Sequence, residues 1–230
     1  LSDLSPEKRE AIRLLRGGSA KEESYRAIQM AVHEAYPEFT NDNIEKYYIE
    51  KYTNYSEKAL LKAEPNAGHY GLVDLGQDFD TYIITQNVDD LHERAGSHYV
   101  LHLHGELMKV RSMKDERRVY TLTPDNLETS PETRDEYGDA VRPHIVFFQE
   151  AVPNIEPAIE LVKEADIFVV IGTSLNVYPA AGLLYYVRPD AEVYYIDPKP
   201  APTPNVKVTV LPMKASEGVA ELKKLLKKQL

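Results

Sequence analysis

The sequence predicts an α/β fold: a Rossmann-like parallel sheet with helices on both faces, plus a small inserted module. Three observations predict it. From residue 65 onward, short β-rich runs alternate with helical patterns. The run Ile167-Phe168-Val169-Val170-Ile171 is apolar at every position, as a strand covered on both faces is. Polar groups gather where the β runs end, at Thr85-Gln86-Asn87-Val88-Asp89, at His102-Leu103-His104-Gly105 and at Gly172-Thr173-Ser174. In an open parallel sheet the carboxyl ends of neighbouring strands line one crevice, and ligands bind there.

The elements follow in order. Residues 1–64 read as a helical N-terminal segment. Ser5 caps its first helix with Pro6 in the first turn, and Gly17-Gly18 ends it. Ala20 to Tyr36 holds good helix formers, and Asn41 to Lys62 is a third, tyrosine-rich stretch broken at Pro65. Residues 65–108 and 142–230 then form the Rossmann-like domain. Its β runs are 79–84, 99–104, 143–148, 166–171, 192–196 and 206–211, and the first five are expected in one parallel sheet. Helical patterns occupy 66–76, 154–165, 179–187 and 216–229. Residues 109–141 are charged, rich in turn formers and without a strong core pattern, which reads as a small metal-free surface insertion. There is no internal repeat and no low-complexity tract.

Composition narrows the function. The chain has 230 residues, 43% of them hydrophobic, enough for a sizeable core, and a net charge of −10. That charge argues against a nucleic-acid partner and would favour basic ones such as lysine-rich peptides. With no cysteine, disulfides, thiol catalysis and cysteine-ligated zinc are excluded. Leu1-Ser2-Asp3-Leu4 is no signal peptide and no apolar run approaches a membrane span, so a cytoplasmic protein without a membrane partner is expected.

Several residues could carry chemistry. An amide, a carboxylate and an imidazole from 85–89 and 102–104 would meet in the crevice, a set able to bind a sugar–amide ligand and move a proton. Gly172-Thr173-Ser174 offers a close backbone approach and two hydroxyls for phosphate or ribose oxygens, or simply a strand ending in a turn. Asp197, at the end of Val193-Tyr194-Tyr195-Ile196, suits a ribose hydroxyl, or a turn before Pro198. His102 and His104 share one strand parity, so periodicity does not choose between them. A metal site from these two with His92 or His98 lacks a defined ligand spacing, and none is expected.

Taken together, these pieces resemble the sirtuin family of NAD-dependent protein deacylases. The matching segments are Thr85 to Asp89, Leu91-His92-Glu93-Arg94-Ala95-Gly96, His102 to Leu107, Arg142-Pro143-His144-Ile145-Val146-Phe147-Phe148, Gly172-Thr173-Ser174, Val177 to Gly182 and Ile196-Asp197-Pro198. Pro65-Asn66-Ala67-Gly68-His69 resembles the helix start that precedes them. The likeness covers about residues 65–200 and is greatest to the bacterial, zinc-less branch that removes acyl groups from lysine.

The resemblance implies NAD as cofactor and an acyl-lysine protein or peptide as substrate. It implies that Gln86, Asn87 and Asp89 hold the nicotinamide half and that His104 is the general base, with Asn87 also catalytic. Gly172, Thr173, Ser174 and Asp197 would hold the adenosine half, and the strand of Val146, Phe147 and Phe148 would pair with the substrate peptide. The acyl oxygen would attack the anomeric carbon as nicotinamide leaves, and water would later release lysine and an O-acyl-ADP-ribose.

Three departures stand out. The glycine loop that cradles the pyrophosphate in the family is matched only by Gly17-Gly18-Ser19, after a helix-like run. The Tyr-x-x-Arg pair of enzymes acting on succinyl-type lysines falls on Thr53 and Ser56. The family's Phe-Gly-Glu becomes Phe148-Gln149-Glu150. Reduced NAD affinity is therefore expected, and an NAD hydrolase or a binding module with an incomplete phosphate loop are the competing readings.

Overall fold

The computed structural model describes residues 60–127, 129, 132–147, 150–173, 180–203 and 207–228. The expected N-terminal helices up to residue 59, Gly17-Gly18-Ser19, Thr53, Ser56, Phe148 and Ser174 lie outside the described residues. Two compact units divide the chain. One holds Ala59–Lys109 and His144–Leu230, and the other includes Val110–Pro143.

The first unit opens with α1 (Ala67–Leu75), and its start is local chemistry. Asn66 Oδ1 accepts the Gly68 N–H at 2.8 Å, and His69 Nδ1 accepts the Asn66 N–H at 3.1 Å. This reciprocal cap satisfies amides that the first helical turn leaves unpaired. Next come β1 (Ile83–Thr85), the short α2 (Leu91–Ala95) and β2 (Val100–His102). β1 and β2 pair in parallel, with Ile83, Ile84 and Thr85 opposite Val100, Leu101 and His102. Later in the chain, α3 (Ile155–Glu164), β6 (Ile167–Ile171), a 3₁₀ helix (Ala180–Tyr186), β7 (Glu192–Ile196), β8 (Thr209–Leu211) and α4 (Ala215–Lys227) complete this unit. The ladder β6-β7-β8 is parallel throughout.

Strand parity divides the core into two layers. Ile167, Val169 and Ile171 of β6 pack with Leu75 of α1 and with Val219, Leu222 and Leu226 of α4. Phe168, from the same strand, packs on the opposite side with Leu103, Ala158, Val162 and Leu183. Helices thus cover both faces of the parallel strands, the α/β architecture expected. Glycines let the helices close in. A Cβ on Gly218 would lie 2.1 Å from Ile196 Cγ2, and one on Gly71 2.7 Å from Val219 Cγ1.

β3 (Gly105–Ser112), β4 (Val119–Thr121) and β5 (Val141–Ile145) form a separate ladder in the order β4-β3-β5. Two expectations are corrected here. The single parallel sheet is instead two parallel ladders among the described residues, β1-β2 and β6-β7-β8. The run 143–148 belongs to neither, since β5 bonds to β3. Its own residues explain this: buried Val141, Pro143 and Ile145 alternate with half-buried Arg142 and His144, unlike a central parallel strand, and Pro143 has no N–H to donate to a ladder. The helical pattern at 179–187 is a 3₁₀ segment; its Gly182, Tyr185 and Tyr186 favour an α-helix weakly. Residues of 110–143 also carry more core pattern than their charge suggested, with Val110, Ser112, Leu122, Leu127 and Val141 buried.

In that second unit, Arg118 joins Asp135 at 2.9 Å and Asp139 at 2.6 Å, donates to Ser112 Oγ and lies over the Tyr137 ring. Among the described residues no helix is long and apolar enough to cross a membrane.

Candidate functional site

The site is built where β1, β2 and β6 end. Thr85, the last residue of β1, is buried, and its Oγ1 accepts the Asn87 N–H at 3.1 Å. That turn leaves Asn87 exposed. Asp89 Oδ1 accepts the Leu91 N–H at 3.1 Å and so starts α2. Arg94 anchors α2 through the carbonyls of Leu60 and Ala63.

The two histidines, equivalent by parity, differ in their partners. His104 Nδ1 lies 3.1 Å from the Gln86 carbonyl. A carbonyl oxygen only accepts, so Nδ1 carries a proton, and in the neutral ring Nε2 is the acceptor nitrogen. His102 Nδ1 lies 3.1 Å from the next carbonyl, that of Asn87, while its Nε2 meets Glu93 Oε1 at 2.7 Å. Both of its nitrogens face acceptors, and it is 5% exposed against a half-buried His104. Burial pushes the His102 ring down, but the Glu93 hydrogen bond, the Asn87 carbonyl and the charges of Glu93 and Glu106 outweigh it and raise the pKa. Burial works to raise Glu93, yet the His102 hydrogen bond and the Glu93 backbone N–H hold it below its ordinary value.

Behind them, His69 and His92 meet edge to face at 4.8 Å. Burial lowers both rings, and their mutual repulsion adds to it at His92. Glu93, His102 and Glu106 bring three potential ligand atoms within 4.8 Å of one another. His102 Nε2 is already bonded to Glu93, and Glu106 pairs with Lys109 at 2.8 Å, so the group reads as ion pairs.

The backbone after His104 is tightly constrained. Gly105 has φ +80°, and a Cβ there would sit 2.0 Å from the His144 carbonyl oxygen. The His104 carbonyl accepts the Val146 N–H at 2.9 Å, which fixes the end of β5 beside the imidazole. Phe147 packs on the cluster of Leu60, Leu107 and Ile145, and its N–H donates to Glu150 Oε2 at 2.9 Å.

At the end of β6, Gly172 has φ +60°, and among the described residues nothing lies where a side chain would project. Gln86 Nε2 donates to Thr173 Oγ1 at 3.3 Å, tying the β1 end to the β6 end across 87 residues. Asp197 Oδ1 accepts the Lys199 N–H at 2.7 Å, which is turn geometry. Gln86, Asn87, Asp89, His104, Val146 and Thr173 are thus joined by short bonded steps. The sequence reading missed Glu93, the partner of His102, and Tyr195, which is fully buried with its hydroxyl donating to the Thr173 carbonyl at 2.7 Å. Only the acidic position in Leu91-His92-Glu93-Arg94 hinted at the first.

Comparison with known proteins identifies the family. The model of the Sir2 family matches residues 21–179, a span that includes part of the N-terminal segment and begins after Gly17-Gly18-Ser19. An NAD-dependent protein deacylase of Bacteroides thetaiotaomicron is 53% identical over 177 residues, 75% of this chain and 76% of that protein. A solved Sir2 homologue in complex with NAD superimposes with a TM-score of 0.65 at 31% identity, covering 86% of this chain and 75% of the other. A Sir2 protein bound to an acetylated peptide gives 0.65 at 28% identity, with 77% and 79% coverage. The chain belongs to the Sir2, or sirtuin, family.

Proposed function

We propose that the chain is an NAD-dependent protein lysine deacylase that transfers the acyl group from lysine to ADP-ribose and releases nicotinamide. The observation that carries the proposal is the state of His104. Its Nδ1–H is committed to the Gln86 carbonyl, which leaves Nε2 as the basic nitrogen of the neutral ring, at the carboxyl end of parallel strands.

The residues present fit NAD. Gly172 leaves open space at the end of β6, Thr173 offers a hydroxyl, and Asn87 offers an exposed carboxamide. NAD supplies an activated glycosidic bond and an ADP-ribose acceptor for the acyl oxygen. In this reading His104 Nε2 takes a proton from a ribose hydroxyl. Asn87, Gln86 and Asp89 hold the nicotinamide half, while Gly172, Thr173, Ser174 and Asp197 hold the adenosine half. The segment Val146 to Phe148 lies beside the substrate peptide, supported by the bond between Val146 and the His104 carbonyl.

The proposal extends to the zinc-less bacterial branch, supported by the absence of any cysteine, and to a cytoplasmic location, which cell fractionation tests. It also treats 109–141 as an insertion in the NAD-binding domain and 1–64 as a divergent N-terminal segment.

The test is incubation with NAD and an acetyl-lysine peptide, followed by mass spectrometry. Deacylated peptide and nicotinamide should form in equal amounts and disappear in His104→Ala. Nicotinamide formed without peptide product would favour an NAD hydrolase, and neither product a binding module. One observation supports weakened NAD binding: the family match begins only after Gly17-Gly18-Ser19. A helix N-terminus with clustered amides is the main anchor for two phosphates. Tight, stoichiometric binding by calorimetry would overturn that part.

A further inference from the structure

We propose that His102 is a positioning residue: held as an imidazolium between Glu93 and the Asn87 carbonyl, it presents the Gln86–Asn87 backbone to His104 and makes turnover depend on the charge of the Glu93–His102 pair. This rests on the deacylase reading and adds a residue to it.

The geometry is a ladder of two rungs. Consecutive carbonyls, of Gln86 and Asn87, accept from the Nδ1 atoms of His104 and His102, each at 3.1 Å. The rung at His104 keeps the base in the correct tautomer, and the rung at His102 holds the next peptide unit. A neutral imidazole has one N–H and satisfies one acceptor; His102 has two, a carbonyl and a carboxylate, and needs both protons. The strand that carries the ring is fixed, because the His102 backbone carbonyl accepts from Asn154 Nδ2 at 2.7 Å and Leu103 beside it is 1% exposed, and Glu93 holds the ring's Nε2. Any change in the Asn87 contact therefore moves the loop and not the ring.

The charged surroundings are few. Glu93 and His92 face His102 from α2, and Glu106 faces it from β3 with Lys109 paired behind it. His69 and Asp89 lie beyond His92. The negative neighbours outweigh the positive ones, and the ring holds its second proton above the usual histidine range. When the Nδ1 proton leaves at higher pH and the remaining one stays on Nε2 beside the Glu93 carboxylate, the rung to the Asn87 carbonyl is lost and Asn87 is released. Turnover then falls on the alkaline side.

The test is a pH profile of peptide-dependent nicotinamide release for the wild type, Glu93→Gln and His102→Gln, with ring NMR of His102. Glu93→Gln keeps a hydrogen-bonding group but removes the charge. Its alkaline limb should move to lower pH, and NMR should show His102 deprotonating at that same lower pH. His102→Gln has no proton to lose, so its rate should be low and free of this limb. A limb that stays in place while His102 deprotonates earlier would overturn the proposal, as would a neutral His102 in the wild type near pH 6. If the wild type releases no nicotinamide at any pH, the deacylase reading fails by itself. The positioning claim then stands or falls on whether the Asn87 amide signal titrates together with the His102 ring.

Discussion

Two glycines with left-handed backbone flank the site, and they do opposite things. Gly105, at φ +80°, is wedged against the His144 carbonyl, whereas Gly172, at φ +60°, faces open space. The regions around them differ in the same way. The end carrying His104 is locked by two imidazoles on consecutive carbonyls, by the Val146 N–H and by the Thr85 hydroxyl. The end carrying Thr173 is held by Tyr195 on its carbonyl and by Gln86 on its hydroxyl. A base must be aimed before the substrate arrives, because misplacement by an ångström is costly. A surface that only holds a ligand can be left unfilled.

The comparison breaks most decisively at His104. Replacing it by alanine should lower turnover by roughly 10²–10⁴-fold with folding retained, the range for a general base. An active His104→Ala protein beside a dead His102→Ala protein would reverse the assignment. Gly105→Ala comes next, and it should act on the fold. The new methyl would collide with a backbone oxygen 2.0 Å away in a left-handed conformation, costing about 3 kcal/mol in urea unfolding. An unchanged midpoint would show that the locked end is softer than described. Tyr195→Phe tests the support behind the open end. Losing the hydroxyl that bonds the Thr173 carbonyl should cost about 1–2 kcal/mol. Gly172→Ala should cost less, about 1 kcal/mol of backbone strain, and should show mainly as a raised KM for NAD. A KM unchanged by Gly172→Ala would mean no ligand approaches there.

The smallest effect is on stability against pH. His102 has a raised pKa, so its contribution is complete below the ordinary 6.5 and is lost as pH rises through the higher folded value. Glu93 is depressed, so its contribution is complete above 4.5 and is lost as pH falls through the lower folded value. The pair therefore stabilises fully between about pH 4.5 and 6.5. Thermal melts of the wild type and Glu93→Gln should differ most in that window and converge at both extremes.

Local signals were legible and distant ones were not. The run 192–196 is the observed β7, because a β-rich run between turns needs no partner to be read. Helix α1 begins beside Pro65-Asn66 because its cap is made within four residues. The pairing of β5 was misread because its Pro143 and its alternation were weighed less than its apolar residues. Parity put His102 and His104 on one side, yet their difference depends on Glu93, which reaches His102 from another element. The bond between Gln86 and Thr173 spans 87 residues and leaves no periodic trace.

The glycine contacts of the terminal helix have a consequence for synthesis. α4 supplies Val219, Leu222 and Leu226 to the layer beneath α1, and its Lys223 reaches Asp74 of α1. Until α4 has been made, Leu75 and the inner face of β6 and β7 lack its cover. In the interval between synthesis of β6 and synthesis of α4 the nascent chain carries this apolar surface, open to aggregation and to chaperones. Closure of this layer therefore waits for α4, whatever the state of the site itself.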